Sequence, residues 1–325
     1  MSHQNFPDKT QLTIYFAHSA YALATAFEKR GTGINYFQAW SREVLNERIP
    51  EADVLVISGF WNNALLEKAT RLKFIQSVGA GYNQFPQDQL RERGIRLASA
   101  RGVNKNAVSE HAMAHILSLT RHIHTGRDHQ HNRFWRDMIG EIPQREDELE
   151  GKTLLIIGFG GIGSRLAKLA KAFDMRVLAT KRNPATAEGP ADEVHTNDQL
   201  PSLLPQADFV ALTCPLTPET KNLINHKSLG LMKPSAYLIN MARGYVVNEP
   251  DLIEALEQGQ IAGAGLDTFW EEPLGEESPL WGMQNVIITP HTGGETQKYE
   301  ENLMDILLDN IERLTQGNSL RNQVI

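Results

Sequence analysis

The chain has 325 residues, of which 41% are hydrophobic and 22% are charged, as is usual for a globular protein with room for two domains. Its formal net charge of −7 argues against a nucleic-acid partner, because the phosphate backbone would be repelled. A single cysteine, Cys214, excludes an internal disulfide, and no apolar run approaches the length of a membrane span. These features predict a cytoplasmic protein that binds neither nucleic acid nor a membrane.

The first third of the chain alternates strand-like and helix-like segments, which is the pattern of a small α/β domain with a parallel sheet. Ligands of open α/β sheets bind beyond the carboxyl ends of the strands, so the loops that follow the strands are candidate binding sites. Phe60 and Trp61 follow one predicted strand and could line a substrate pocket or pack beneath the loop. Val78-Gly79-Ala80-Gly81 follows the next strand, and its glycines would let backbone N–H groups approach an anion such as a carboxylate. The predicted strands are residues 12–17, 34–37, 53–57 and 74–78, and the predicted helices are residues 20–30 and 64–70.

Histidines are concentrated in the next segment, where a long helix is predicted within residues 102–125 and an irregular arm from residue 125 to residue 151. His111 and His115 are four residues apart, as two zinc ligands on one helix would be. The motif H-E-x-x-H is absent and no third ligand is apparent. We therefore expect no metal and interpret both histidines as packed or surface side chains.

Residues 151–184 read GKTLLIIGFGGIGSRLAKLAKAFDMRVLATKRNP and contain a strand-turn-helix-strand pattern. The apolar run at residues 154–157 predicts a buried strand, and Gly158, Gly160 and Gly163 follow it with the spacing G-x-G-x-x-G. Glycines permit a tight turn and close backbone approach, and the helix N-terminus offers free N–H groups and a positive dipole end to a pyrophosphate. The pattern predicts a dinucleotide-binding unit.

Three later segments each place a chemically active side chain after a predicted strand. Arg243 follows one strand, where its guanidinium could clamp a carboxylate through two parallel hydrogen bonds. Asp267 and Glu272 follow another, and His291 follows the last, where an imidazole can exchange a proton near neutral pH. An arginine, a carboxylate and a histidine at one sheet edge suit the reduction of a carbonyl beside a carboxylate. The predicted strands of this half are residues 175–179, 209–213, 236–240, a short strand near 264 and 286–288, and its predicted later helices are residues 250–257 and 296–314.

In these motifs the sequence resembles the D-isomer-specific 2-hydroxyacid dehydrogenases over nearly the whole chain. The resemblance implies an α/β fold with two doubly wound parallel-sheet domains, in which a Rossmann cofactor domain is inserted into a flavodoxin-like substrate domain. The implied substrate domain is residues 1–103 plus 294–325, and the implied dinucleotide-binding domain is residues 104–293. The resemblance also implies a homodimer formed around residues 125–150. The motifs that carry it are Val78-Gly79-Ala80-Gly81, Gly102-Val103-Asn104 with Ala107-Val108-Ser109-Glu110-His111, the glycine loop, Asn240-Met241-Ala242-Arg243-Gly244 and Pro290-His291-Thr292-Gly293-Gly294.

The resemblance further implies the chemistry and the residues that perform it. A hydride passes from C4 of the nicotinamide to the carbon of a 2-keto acid while His291, partnered by Glu272, protonates the developing alkoxide. Arg243 and the Val78 and Gly79 backbone hold the substrate carboxylate. The cofactor-binding residues implied in the same way are Gly158, Gly160, Gly161, Ile162, Gly163, Cys214, Pro215, Met241, Ala242, Asp267 and Gly293.

The end of the second strand of the dinucleotide unit predicts which cofactor is used. A NAD-specific site places an acid about twenty residues past the glycines, on the ribose hydroxyls. Here the strand ends in Ala179-Thr180-Lys181-Arg182-Asn183, and the first acid is Glu188. Lys181 and Arg182 would instead attract a 2′-phosphate, so we predict NADP. NAD, or the use of either cofactor, is the alternative if both cations are only solvated.

Two other functions are compatible with parts of this pattern. A formate dehydrogenase of the same superfamily would have an amide as the partner of the histidine, where this chain has Glu272. A dinucleotide-sensing binding protein, such as the corepressors that share the fold, is an alternative of a different class. The complete set of Arg243, Glu272 and His291 favours an enzyme, and glyoxylate and hydroxypyruvate are its default substrates by resemblance.

Overall fold

The computed structural model describes residues 6, 8 and 11–325, and the chain divides into two compact units. One unit is Met1–Asn104 with Thr296–Ile325, and the other is Lys105–Glu295. The predicted domain boundaries fall between residues 103 and 104 and between residues 293 and 294, and the assignment of substrate and cofactor to the two units stays a prediction. Residues 1–5, 7, 9 and 10 of the predicted substrate domain lie outside the described residues.

The first unit is a parallel sheet packed between helices. Its strands are β1 (Thr13–Ala17), β2 (Asn35–Ala39), β3 (Val54–Ile57), β4 (Phe74–Ser77) and β5 (Arg96–Ala98), and its helices in this part of the chain are α1 (Leu23–Glu28), α2 (Arg42–Arg48), α3 (Leu65–Lys68) and α4 (Gln87–Glu92). The strands pair in the order β2-β1-β3-β4-β5, which is a flavodoxin-like order. Every residue of β3 and β4 is buried, because helices cover both faces of the sheet.

The predicted strands and helices of this unit are confirmed, with ends that differ by a few residues. The sequence pattern does not predict β5, α2 or α4. Strand β5 has three residues and begins with Arg96, so it lacks an alternating pattern. Helices α2 and α4 each bury a single residue, Leu45 and Leu90, and an apolar face that narrow produces no helical period.

The second unit has a larger parallel sheet. Its strands are β6 (Thr153–Ile157), β7 (Arg176–Thr180), β8 (Glu193–His195), β9 (Phe209–Leu212), β10 (Tyr237–Asn240), β11 (Gly263–Leu266) and β12 (Val286–Ile288), and its helices are α5 (Lys105–Thr120), α6 (Ile123–His131), α7 (Gly161–Lys171), α8 (Leu200–Leu203), α9 (His226–Leu229) and α10 (Glu249–Glu257). The order β12-β11-β10-β9-β6-β7-β8 puts β6 between the two halves of a doubly wound sheet. The predicted fold class is confirmed. Because all pairs are parallel, the loops after β6, β9, β10, β11 and β12 lie at one edge.

The segment after α5 differs from its prediction. The predicted irregular arm begins within a helix, because α6 extends to His131. Helix α6 has no buried residue, so no apolar period marks it in the sequence. The two helices are separated at His122, whose φ of 51° lies in the left-handed region.

The chain ends in α11 (Tyr299–Thr315), which belongs to the first unit. Its apolar face, including Leu303 and Ile306, shares a buried cluster with Phe16 and Phe27. The buried Asn310 donates a hydrogen bond of 2.9 Å to Gln76 Oε1, which satisfies a polar group inside that core. Among the described residues, no helix combines the length and the apolar character that crossing a bilayer requires.

Candidate active site

The glycine loop joins β6 to α7 and has one open and two closely packed positions. Gly158 has a φ of 105°, and a Cβ there would lie 2.5 Å from the Cα of Cys214. A Cβ at Gly163 would lie 2.6 Å from the carbonyl oxygen of Gly158. By contrast, a Cβ at Gly160 would have no described atom within 4 Å. The first and third glycines therefore permit the turn and the helix contact, and the second leaves the backbone open to a ligand.

The opening of α7 supplies the donors that such a ligand needs. Gly161 and Ile162 lie in its first turn, where backbone N–H groups have no partner within the helix and the dipole is positive. This arrangement suits a pyrophosphate. Gly158, Gly160 and Gly163 thus fit a bound dinucleotide by their shape as well as by their spacing.

Other predicted cofactor residues lie at the same edge of the sheet. Cys214 and Pro215 follow β9, and Met241 and Ala242 follow β10. Cys214, Met241 and Ala242 are buried. Burial raises the pKa of the Cys214 thiol to about 11, so this side chain is a neutral wall against Gly158 and not a nucleophile.

The two predicted cations after β7 have different environments. The ammonium group of Lys181 donates to the carbonyl oxygen of Thr186, within its own loop. Arg182 is exposed. A hydrogen bond from Thr217 and, among the smaller causes, the charge of Arg182 lower the pKa of Glu219. Arg182 is therefore the more exposed cation of the pair, and Glu219 is the acid on which its charge acts.

His291 and Glu272, which lie on two different loops of the sheet edge, are in contact. His291 Nδ1 is 2.7 Å from Glu272 Oε2, and the other oxygen of Glu272 accepts a hydrogen bond of 3.0 Å from the Phe269 N–H. The side chains are 42% and 37% exposed, so the imidazole remains accessible to a reactant. Its Nε2 is the atom that can exchange a proton with a substrate.

Several interactions act on the carboxyl group of Glu272. Its partial burial would raise its pKa, but the hydrogen bonds from His291 and Phe269, together with the charges of His291 and Arg243, outweigh burial and hold the pKa below its ordinary value. An ionised Glu272 accepts a hydrogen bond from the imidazole at Nδ1 and leaves Nε2 to face a reactant. The pair therefore has the electrostatics of a proton donor that is supported by a carboxylate.

Arg243 is brought close to this pair by the glycine that follows it. A Cβ at Gly244 would lie 1.9 Å from the carbonyl oxygen of Phe269, so the loop after β10 packs directly against the loop that leads to Glu272. The Arg243 side chain is exposed, and its Nη1 donates a hydrogen bond of 2.7 Å to the Ala242 carbonyl oxygen. Among the described residues the guanidinium makes no other hydrogen bond, so its remaining N–H groups are available for a carboxylate.

Asp267 anchors the loop that carries His291. The side chain is buried, and its Oδ1 accepts hydrogen bonds from Thr289 Oγ1 at 2.7 Å and from the Thr292 N–H at 2.9 Å. The Gly293 N–H lies 3.1 and 3.0 Å from the two carboxylate oxygens. A Cβ at Gly293 would lie 2.7 Å from Asp267 Oδ2, which explains the glycine. The predicted roles of Asp267 and Gly293 at the nicotinamide stay predictions, and their observed role is structural.

Comparisons with known proteins identify the family. A model described as "D-isomer specific 2-hydroxyacid dehydrogenase, NAD binding domain" matches residues 113–293. This chain belongs to the D-isomer specific 2-hydroxyacid dehydrogenase family. The matched segment contains the glycine loop, Arg243, Glu272 and His291.

Relatives in this family match most of the chain. A glyoxylate reductase of Pyrococcus furiosus is 38% identical over 284 residues, covering 85% of this chain and 83% of that protein. A hydroxypyruvate reductase of Blautia hydrogenotrophica is 33% identical over 282 residues, covering 85% and 86%. The solved structure of a D-isomer specific 2-hydroxyacid dehydrogenase family protein from Aeromonas salmonicida subsp. salmonicida is 31% identical with a TM-score of 0.82, covering 97% of this chain and 99% of that chain.

The predicted substrate residues Val78 and Gly79 lie in the first unit, at the carboxyl end of β4. Their N–H groups lie 3.1 and 3.2 Å from Ser58 Oγ, which accepts from both. Ser58 Oγ is also 3.1 Å from Ser77 Oγ, and Ser77 donates to the Gly81 carbonyl oxygen at 3.0 Å. Sequence reasoning missed Ser58, although its place directly after the buried strand β3 is the kind of position that marks the other candidate residues.

The histidines His111 and His115 belong to a polar cluster of the second unit, in which His115 is buried and His111 is partly exposed. Their Nε2 atoms lie 3.2 Å apart, and His111 Nε2 lies 2.9 Å from Thr289 Oγ1. Among the described residues, no group of three or more histidine, cysteine, aspartate or glutamate side chains is arranged to hold a metal ion. Thr289 carries no sequence signal apart from its place after β12, and sequence reasoning missed it.

Proposed function

We propose that this chain is an NADPH-dependent reductase that converts a small 2-keto acid to the D-2-hydroxy acid. The contact of 2.7 Å between His291 Nδ1 and Glu272 Oε2 is the observation that carries the proposal. The charge of Arg243, which is among the smaller causes that lower the pKa of Glu272, supports it. Relatives named glyoxylate reductase and hydroxypyruvate reductase support the reaction class. Glyoxylate and hydroxypyruvate are accordingly the first substrates to test.

Each of the three side chains has one role in the proposed reaction. Arg243 binds the substrate carboxylate and polarises the neighbouring carbonyl. His291 donates the proton on Nε2 to the carbonyl oxygen as that oxygen gains negative charge. Glu272 holds the imidazole by Nδ1 and stabilises its charged form before the transfer. In the oxidative direction the same imidazole accepts the proton.

A nicotinamide dinucleotide, when bound, supplies the hydride that reduces the 2-keto carbon. The open backbone at Gly160 and the N-terminus of α7 fit its pyrophosphate. Cys214, Pro215, Met241 and Ala242 would line its site as apolar walls, since they follow β9 and β10 at the same sheet edge.

We propose NADPH as the preferred cofactor, and Arg182 as the residue that selects it. The side chain is exposed just beyond β7, whereas Lys181 is engaged by the Thr186 carbonyl oxygen. A guanidinium can bind a 2′-phosphate through two hydrogen bonds, and the ribose hydroxyls of NADH offer no charge to it. The sequence predicts that both Lys181 and Arg182 attract the 2′-phosphate, and we now assign this role to Arg182 alone.

The backbone of Val78 and Gly79 is proposed as a second group that binds the substrate carboxylate. The Val78 N–H already donates to the Ile57 carbonyl oxygen at 3.2 Å, so Gly79 is the better donor of the two. A carboxylate oxygen at Gly79 would replace Ser58 Oγ, which occupies the equivalent position now. The Ser58 hydroxyl would then rotate toward Ser77.

We also propose a homodimer formed around residues 125–150, the arm of the sequence analysis, whose first residues belong to α6. Trp135 and Met138 in the arm are 94% and 97% exposed. With Phe134, they line a surface cavity of about 920 Å³ between α6 and the residues that follow it. Large apolar side chains exposed together are typical of protein interfaces. A cytoplasmic location stays a prediction.

The direct test is turnover of glyoxylate and hydroxypyruvate by the purified chain with NADPH and with NADH. We expect activity with both acids and a higher kcat/KM for NADPH. His291→Gln should lower kcat by about 100- to 10,000-fold, because it removes the proton donor, and should leave NADPH binding nearly unchanged. His226→Gln, which changes an exposed histidine on α9, is the matched control and should retain wild-type activity.

Two results would contradict the proposal. NADPH binding without turnover of any small 2-keto acid would favour the dinucleotide sensor. Near wild-type turnover by His291→Gln would remove His291 from its assigned role.

A further inference from the structure

Four polar side chains join α5 to the loop that carries His291. His115 is 3% exposed, and its Nε2 lies 3.2 Å from the Nε2 of His111, one helical turn earlier. His111 Nε2 lies 2.9 Å from Thr289 Oγ1, and Thr289 Oγ1 lies 2.7 Å from Asp267 Oδ1. These contacts form a continuous chain from the helix to the anchor of the His291 loop.

The hydrogen-bonding capacity of each group determines where the protons lie. Asp267 already accepts from the Thr292 and Gly293 N–H groups, so as a carboxylate it accepts from the Thr289 hydroxyl as well. With its own proton directed at Asp267, Thr289 Oγ1 accepts from His111 Nε2–H. The opposite assignment would leave the 2.7 Å contact between hydroxyl and carboxylate without a hydrogen atom.

The same reasoning fixes the state of His115. The His111 Nε2–H faces two acceptors, Thr289 Oγ1 at 2.9 Å and His115 Nε2 at 3.2 Å, and the longer contact of 3.4 Å between His115 Nε2 and Thr289 Oγ1 is the weakest of the three. A lone pair on His115 Nε2 suits the contact with His111, and the proton of neutral His115 is then on Nδ1. Burial, followed by the charge of His111, lowers the pKa of His115 to about 4, so the ring is neutral at physiological pH. Gly265 makes room for this ring, because a Cβ there would lie 2.3 Å from His115 Nδ1.

His115 Nδ1 is buried and has no hydrogen-bond partner in the described part of the chain. A buried N–H without an acceptor reduces the stability of the fold. Leucine at this position would pack against Gly265 without that loss. Stability therefore does not account for a histidine here, whereas the lone pair that its Nε2 directs at His111 does.

Asp267 connects the two histidines and Thr289 to the turn that carries His291. It accepts hydrogen bonds from Thr289 on one side of His291 and from Thr292 and Gly293 on the other. His291 itself has a φ of 54°, a conformation that a residue with a side chain adopts only where its surroundings impose it. The turn is thus held at both ends by one carboxylate.

We propose that Thr289 and His111 are positioning residues that hold His291 against Glu272 by orienting Asp267, and that His115 favours the tautomer of His111 that carries its proton on Nε2 and donates it to Thr289. This inference rests on the proposed function of His291 as the proton donor. None of the three residues touches the reacting atoms in this assignment, and their effect passes through the turn at residues 289–293.

Removal of the Thr289 hydroxyl tests the proposal. Thr289→Val has nearly the same shape but no donor, and we expect kcat for glyoxylate to fall by about 10- to 100-fold, the loss expected for one hydrogen bond to a charged group. The alkaline limb of the pH profile of kcat/KM should move to lower pH, because the imidazole loses its fixed position beside Glu272. Thr289→Ser restores the hydroxyl and should recover kcat to within about threefold.

The matched control is Thr120→Val. Thr120 is buried and lies on α5, and its hydroxyl donates to the Ile116 carbonyl oxygen at 2.7 Å and not to the four linked side chains. This variant should lower the Tm slightly and leave the pH profile unchanged. A pH profile that is unchanged in Thr289→Val, or equal losses in Thr289→Val and Thr289→Ser, would overturn the proposal.

A second pair of variants keeps the test decisive if Thr289→Val does not fold. His111→Gln retains an N–H donor near the position of Nε2 and should retain most of the activity, whereas His111→Leu should behave as Thr289→Val. Equal activity in these two variants would contradict the inference.

A readout without turnover separates this inference from the proposed function. The ring signals of His291 in the NMR spectrum of the cofactor-bound protein, assigned with His291→Gln, should shift in Thr289→Val and not in Thr120→Val. If the wild type reduces no 2-keto acid but these signals shift, the proposed function fails and the positioning chain stands. If turnover is present and the signals do not shift, the positioning chain fails.

Discussion

Side chains that are alike in the sequence differ in the structure through the partners they find. Lys181 and Arg182 are adjacent cations after β7, yet Lys181 is held by a carbonyl oxygen of its own loop and Arg182 is exposed. Val78 and Gly79 both offer an N–H group, but the Val78 N–H also donates to a neighbouring strand. The partners already present therefore determine which member of each pair can serve a ligand.

We propose that Arg182 determines the preference for NADPH over NADH. We expect Arg182→Ala to raise the KM for NADPH by about 10- to 100-fold, because the loss of a charge-assisted hydrogen bond to a phosphate costs about 1.5–3 kcal/mol. The KM for NADH should change by less than about twofold. Steady-state kinetics with both cofactors at saturating glyoxylate measure the two values.

Arg176→Ala is the matched control for this prediction. Arg176 begins the same strand, β7, and pairs with Glu193 at 2.6 Å, away from the glycine-loop end of the strand. It should leave both KM values unchanged. Equal increases for NADPH and NADH in Arg182→Ala would show that the residue does not discriminate between the cofactors.

At the scale of single elements, the glycines in the turn from β6 to α7 have different roles, since some are needed for folding and one is open to a ligand. Gly158 packs against the Cys214 backbone and Gly163 packs against Gly158, whereas the space beside Gly160 is open. The three glycines of the motif are therefore required for two different physical reasons, close packing at the first and third and open space for a ligand at the second. The spacing alone indicates a dinucleotide, and the packing shows which glycine would face it.

Alanine at Gly158 should affect the stability of the fold, and alanine at Gly160 should affect cofactor binding. Gly158→Ala should lower the free energy of unfolding by about 2–4 kcal/mol, because it adds a strained φ and a backbone clash. Gly160→Ala should leave the Tm within about 2 °C, since its φ of −98° is open to alanine, but should weaken NADPH binding by about 10- to 100-fold.

Thermal unfolding and cofactor titration of the two variants measure this pair of effects. A Gly158→Ala variant as stable as the wild type would contradict the packing argument. Unchanged NADPH affinity in Gly160→Ala would show that the open side of the loop is not where the cofactor binds.

At the scale of the whole molecule, the chain forms two α/β units, each with a parallel sheet. The second unit is inserted into the sequence of the first, so α11, at the end of the chain, belongs to the first unit. The proposed proton donor, its carboxylate partner and Arg243 all belong to the second unit, together with the glycine loop. The arm is also part of this unit. Among the large apolar side chains of the described residues, Trp135 and Met138 of the arm are the two most exposed.

We expect the wild-type protein to sediment as a dimer at micromolar concentration and Trp135→Glu with Met138→Glu to sediment as a monomer, because two charges would be buried at the proposed interface. Analytical ultracentrifugation measures the mass directly. Trp40→Glu changes a tryptophan of the first unit that is 52% exposed, and this control should remain a dimer. A monomeric wild type, or a dimer that survives both arm substitutions, would contradict the proposal.

Local features made much of the fold predictable. Apolar runs such as residues 154–157 are buried strands because helices cover both faces of a parallel sheet. Loops that carry Arg243, Glu272 and His291 share an edge because parallel strands all end on the same side. Helix α6 and strand β5 were beyond such reasoning, since a helix with no buried face and a strand of three residues have no period to detect.

The sequence alone identified the family and the dinucleotide unit and predicted the three side chains of the proposed chemistry, because a local motif marks each of them. The contacts that complete the site required the tertiary structure. Ser58 lies 21 positions from Gly79, and His111 lies 178 positions from Thr289. Hydrogen bonds between residues so distant along the chain have no local pattern, and they exist only after the strands have brought their loops together.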